Sequence, residues 1–307
     1  MLPSKSSNHN ILIAVFLGIC SLFVTLESRF IQIKFLLSFL NVPLLFSYLS
    51  YGPKCGFISS VVVGIPIFFF FSLNNFLDIC LNMIAPAIML GCFSTKYIVK
   101  ERKIWWYPET LLLQNFALFS FIILVLCSFT FRSEDMVLKI LQEARRPIIK
   151  FMRDVDEFQT RQIWCAINAF VKYAAGIEVL CNMFSTLSNF YIAYLIGKKT
   201  QTNIRTEYNF LELRIPSWLA IFPLVALTAT YFFPDFSFVF CGLFVVGLFA
   251  PIVSGISLVH YIAKTKNSRY ILVIFYVGAF IFPILFFPCV VTLAIIDSFH
   301  SLRKSIR

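Results

Sequence analysis

The sequence is short of charge, of glycine and of any cysteine pattern, and each shortage excludes a class of protein. Charged residues make up 13% of the 307 positions, about half the share found in an ordinary globular chain. Disordered chains carry more charge than this. The nine cysteines form no Cys-x-x-Cys pair and no Cys/His cluster with zinc spacing, which excludes a disulfide-stapled secreted domain and a metal site. No P-loop, HExxH, GxSxG, paired-carboxylate or acyltransferase-type pattern occurs, so neither a catalytic residue nor a cofactor is expected. The chain is therefore expected not to be an enzyme. Glycine occurs 11 times; beside abundant Phe, Ile and Lys, this points to an AT-rich genome.

What is present is apolar. Hydrophobic residues make up 59% of the chain, with 38 phenylalanines, more than a soluble fold of this length can hide. About nine spans of about twenty residues would absorb nearly all of it in a bilayer. The expected class is all-α: a polytopic transmembrane helical bundle forming one membrane domain over residues 1–307. The net charge of +11 does not indicate a nucleic-acid partner. Its Lys and Arg residues sit in short clusters between apolar runs, as cytoplasmic loops do.

The charge-free windows place spans at about Ile11–Leu26, Phe35–Tyr51, Cys55–Leu73, Phe76–Thr95, Leu111–Phe131, Ile163–Ile196, Pro216–Phe233, Phe236–Ala263 and Tyr270–Ile296. The first ends in Glu27-Ser28-Arg29 with no small-residue cleavage site, so it reads as an uncleaved span. Between spans five and six, residues 133–160 carry many charges. Their apolar residues Val137, Ile140, Leu141, Ala144, Ile148, Phe151, Met152 and Val155 recur at three and four. This spacing predicts an amphipathic helix on the membrane surface. Trp105-Trp106-Tyr107-Pro108, after the basic loop Lys96 to Lys103, suits the headgroup level.

The loops after spans four, six and eight are all basic. They set the amino terminus in the cytoplasm of a bacterial inner membrane. Nine spans then leave the tail, with Arg303, Lys304 and Arg307, outside, against the rule. Pro283 and Pro288 offer a broken helix or re-entrant turn that would bring it back.

Polar residues inside spans are costly, about 2.5–3.5 kcal/mol for a charge even on lenient scales. On the sixth span Asn168, Lys172, Glu178, Asn182, Ser185, Thr186 and Asn189 fall within an arc of about 140° at 100° per residue. They form the candidate wall of a polar cavity, or else a set of interhelical hydrogen bonds. A second polar cluster is Asn75, Asp78 and Asn82 at the start of the fourth span. Ala14 and Gly18 make a small-xxx-small pair suited to close helix packing.

Several phrases, in order along nearly the whole chain, resemble the YybS-like family of bacterial integral membrane proteins. They are Trp106-Tyr107-Pro108, Leu213-Arg214-Ile215-Pro216, Gly255-Ile256-Ser257-Leu258-Val259-His260, and Leu293-Ala294-Ile295-Ile296-Asp297 with Arg303-Lys304. That family is distantly similar to the substrate-binding components of energy-coupling-factor vitamin transporters. The similarity implies a small nutrient bound within the bundle and docking on a membrane subunit through Ala14 and Gly18. The leading expectation is a transport-related protein binding a small solute of unknown identity. The alternative is a membrane scaffold or assembly factor that recruits other proteins.

Overall fold

The computed structural model describes residues 7–30, 41–100, 103–130, 157–205 and 207–303. Helix dominates, because a backbone in lipid must satisfy its polar groups internally. Four helical stretches are long and apolar enough to cross a membrane: Pro53–Phe70, Glu109–Leu126, Val171–Lys199 and Pro234–Thr265. Shorter apolar helices accompany them at His9–Phe23, Cys80–Ser94, Ser217–Phe232, Arg269–Ile281 and Ile284–His300. Most of the expected amphipathic stretch 133–160 lies outside the described residues.

The chain divides into two compact units: Met1–Phe116 with Cys181–Leu213, and Ala117–Leu180 with Arg214–Arg307. The first holds α1 (Ser7–Phe30), α2 (Asn41–Tyr51), α3 (Pro53–Phe70), α4 (Leu73–Ile79) and α5 (Ala85–Ser94). A π turn, Cys80–Ile84, joins α4 to α5. Pro86, which has no N–H to give back to the carbonyl four residues before it, follows this turn at the start of α5. Ile79, just before the turn, and Ile84, its last residue, pack with Val63 and Ile67 of α3.

Small residues let these helices close on one another. A Cβ added at Gly18 would lie 2.8 Å from the Cβ of Val62, and Ser59 Oγ donates to the Ala14 carbonyl at 2.6 Å. The Tyr48 ring is fully buried and fills the space left by two absent side chains, since a Cβ at Gly56 or Gly91 would overlap it.

The basic loop is a two-stranded antiparallel hairpin, β1 (Tyr97–Lys100) and β2 (Lys103–Trp106), with Ile98 opposite Trp105 and Lys100 opposite Lys103. It amends the all-α expectation. Then come α6 (Glu109–Thr130) and α7 (Glu157–Lys199), which each contribute to both units.

The second unit adds α8 (Ser217–Phe232), α9 (Ser237–Gly247), α10 (Phe249–Thr265), α11 (Arg269–Ile281) and α12 (Pro283–His300). Pro251 cannot bond the Gly247 carbonyl, and the helix is interrupted between α9 and α10. Gly176 of α7 meets Gly242 of α9 backbone to backbone, where a Cβ would stand 2.7 Å from the Gly242 Cα.

The expected ninth span is broken at Phe282-Pro283 into α11 and α12. Phe275 and Phe286 have ring centroids 4.5 Å apart, whereas eleven residues of straight helix would separate them by about 16 Å. The two helices therefore form a hairpin. Arg269 starts it four residues after α10 ends at Thr265. At the other end the Arg303 carbonyl accepts a bond from Tyr261 Oη, one turn from that same end of α10, at 3.3 Å. The basic loop 264–269 and the chain at Arg303 thus lie together.

Candidate functional site

In the first unit, α7 brings Asn182, Ser185, Thr186 and Asn189 onto one side. Thr186 and Asn189 are buried, and Asn182 and Ser185 are half-buried. Thr186 Oγ1 donates to the Asn182 carbonyl at 2.8 Å, the local bond by which a threonine hides its hydroxyl in an apolar helix. Asn41, at the start of α2, joins this set from 145 residues away. It is 4% exposed, and its Nδ2 approaches Thr186 Oγ1 at 3.5 Å. Its Oδ1 has no hydrogen-bond partner among the described residues. Sequence reasoning missed Asn41, because a single Asn inside an apolar window gives no spacing signal.

Lys172 and Glu178 belong to the other unit and are exposed. The side chain of Asn168 lies outside the described residues, as do those of Asn75 and Asp78. Asn82 is half-buried in the π turn. Ala14 and Gly18 are buried against α3.

A polar clasp closes one end of the first unit. Arg205, in the loop after α7, ion-pairs with Glu109 in the first turn of α6. It also donates from Nη1 to the Tyr107 carbonyl at 2.8 Å and from Nε to the Glu207 carbonyl at 3.0 Å. Its guanidinium lies 4.3 Å from the Tyr208 ring centroid and 5.8 Å from that of Trp106. Tyr208 is wedged against Phe190, Tyr194 and Phe210. Tyr208 Oη donates to the Ser94 carbonyl at 3.4 Å; burial pushes its phenol well above the usual tyrosine value, opposed by the Ser94 side chain and the Arg205 charge.

The second unit has its own buried ion pair. Asp297 is fully buried, with Arg303 Nε 3.1 Å from its Oδ2. Arg303 also donates from Nη2 to Ser257 Oγ at 3.3 Å and reaches the Ser254 carbonyl at 3.5 Å. Burial lowers the guanidinium's proton affinity, and Asp297 works against that. Among the described residues no three His, Cys, Asp or Glu side chains come together as a metal site.

Among the described residues the first polar set leaves one buried amide oxygen, Asn41 Oδ1, without a hydrogen-bond partner. The chain matches no curated protein and no solved structure. Residues 11–298 match the model of a family described as predicted membrane protein, DUF2232, and the chain belongs to that family, as its short phrases implied.

Proposed function

We propose that the protein is a non-catalytic, transport-related membrane component that binds a small polar solute against the polar side of α7. The proposal places it in a bacterial inner membrane with its amino terminus in the cytoplasm, following the basic loops. One observation carries the reading: Asn41, Thr186 and Asn189 are buried together in an apolar unit, with the Asn41 Oδ1 unpaired among the described residues. A buried amide oxygen left unpaired costs about 1–3 kcal/mol. A donor on a bound solute recovers that cost.

The test is a single cysteine placed at Asn182 in a cysteine-free background. Labelling of the folded protein by a water-soluble thiol reagent is the expected result. Complete protection, with labelling only after denaturation, refutes a water-reachable polar site. A second reading, a scaffold that recruits other membrane proteins, draws on the apolar tip between α11 and α12, where Phe280 and Ile284 are almost fully exposed. It ranks second because lipid covers such a tip at no cost.

A further inference from the structure

The hairpin β1–β2 has two unlike faces. Cross-strand partners share a face and neighbours along a strand alternate. Tyr97, Val99, Ile104 and Trp106 therefore lie on one side, and Ile98, Lys100, Lys103 and Trp105 on the other. On the first side the Tyr97 and Trp106 rings meet at 5.3 Å and Arg205 covers Trp106, while Val99 and Ile104 are exposed; the strand residues of this side carry no charge. The second side is open, with Ile98 70% and Trp105 62% exposed and both lysines exposed.

Three features of that open side specify what covers it. An isoleucine and a tryptophan side by side are costly in water and stable where apolar chains meet headgroups. Lys100 directly faces Lys103, a like-charge pair that destabilises a hairpin unless an anion lies between. The strands are also tethered to apolar helices at both ends, α5 ending at Ser94 and α6 starting at Glu109. Four-residue strands reach only about 13 Å, so the open side stays at the bilayer surface. We propose that this face docks anionic phospholipid headgroups: Ile98 and Trp105 sink to the acyl boundary while Lys100 and Lys103 share a lipid phosphate.

The test uses the full chain with Trp106, Trp164 and Trp218 replaced by Phe, so that Trp105 alone fluoresces. It is reconstituted in nanodiscs of acyl-brominated phosphatidylcholine, with or without phosphatidylglycerol. Quenching of Trp105 that deepens with phosphatidylglycerol is expected. In the Lys100→Gln/Lys103→Gln variant the deepening disappears while the melting temperature holds. Phosphatidylglycerol retained through detergent purification should fall at least tenfold in that variant, since each lysine near an anionic surface is worth about a fivefold factor. Trp105 open to aqueous iodide and untouched by brominated lipid overturns the proposal. So does a phosphatidylglycerol effect that survives loss of both lysines. Inorganic phosphate reproducing the change in phosphatidylcholine nanodiscs overturns the lipid assignment in favour of free phosphate.

Discussion

Replacing Asp297 by Asn keeps the shape of the side chain and removes its charge. Asp297 is fully buried and faces Arg303 Nε at 3.1 Å, so the variant leaves a buried guanidinium without its counter-charge. Breaking a buried pair from one side costs about 3–5 kcal/mol. Arg303 keeps its neutral contacts to Ser257 and Ser254, which places the expected loss at about 3 kcal/mol, the lower end of that range. The pair sits where the helix hairpin returns to the end of α10, so the tail should loosen together with the fold. Thermal melting in detergent measures the loss, and thiol labelling of a cysteine at Ser301 measures the loosening. Asp297→Asn/Arg303→Gln removes both charges and should recover most of the stability, because the cost lies in the orphaned charge. The reasoning fails if the single variant melts within about 1 kcal/mol of the parent, the margin of an exposed pair. It fails equally if the double variant is no better than the single.

Gly56→Ala should destabilise by about 1–3 kcal/mol despite alanine's better helix propensity, because the Tyr48 ring lies between Gly56 and Gly91 and cannot retreat. Tyr48→Leu in the same chain should recover part of that loss, and an unchanged melting temperature for Gly56→Ala refutes the packing. The raised phenol of Tyr208 predicts alkaline sensitivity. Below about pH 10 the phenol is protonated in both states and its contribution is constant. Above that the unfolded chain releases the proton first, so stability falls by up to about 1.4 kcal/mol per pH unit. Melting the parent and Tyr208→Phe at rising pH should show the parent falling faster there, and parallel curves refute it.

Class, helical content and the break in the ninth span were legible in the sequence because they are local or compositional; the interruptions inside the expected fourth and eighth spans were not. An apolar excess this large has to be buried in lipid, and lipid forces the backbone into helices. Within the ninth span one helix ends at Phe282-Pro283 as expected, but Pro288, the other expected break, lies inside continuous α12, as Pro66 does in α3 and Pro223 in α8. The partners of the polar residues were not legible. Asn41 meets Thr186 across 145 residues, and Glu109 meets Arg205 across 96. The strands of the hairpin, Tyr97–Lys100 and Lys103–Trp106, are too short to show a period. In a water-soluble helix the buried face declares itself by contrast with a polar one. Here Phe69 and Phe70 are exposed and Phe116 is buried, yet all three are phenylalanines. Lipid and protein interior are equally apolar, so the pattern of hydrophobicity carries no record of which side faces which. Only the packed structure decided that.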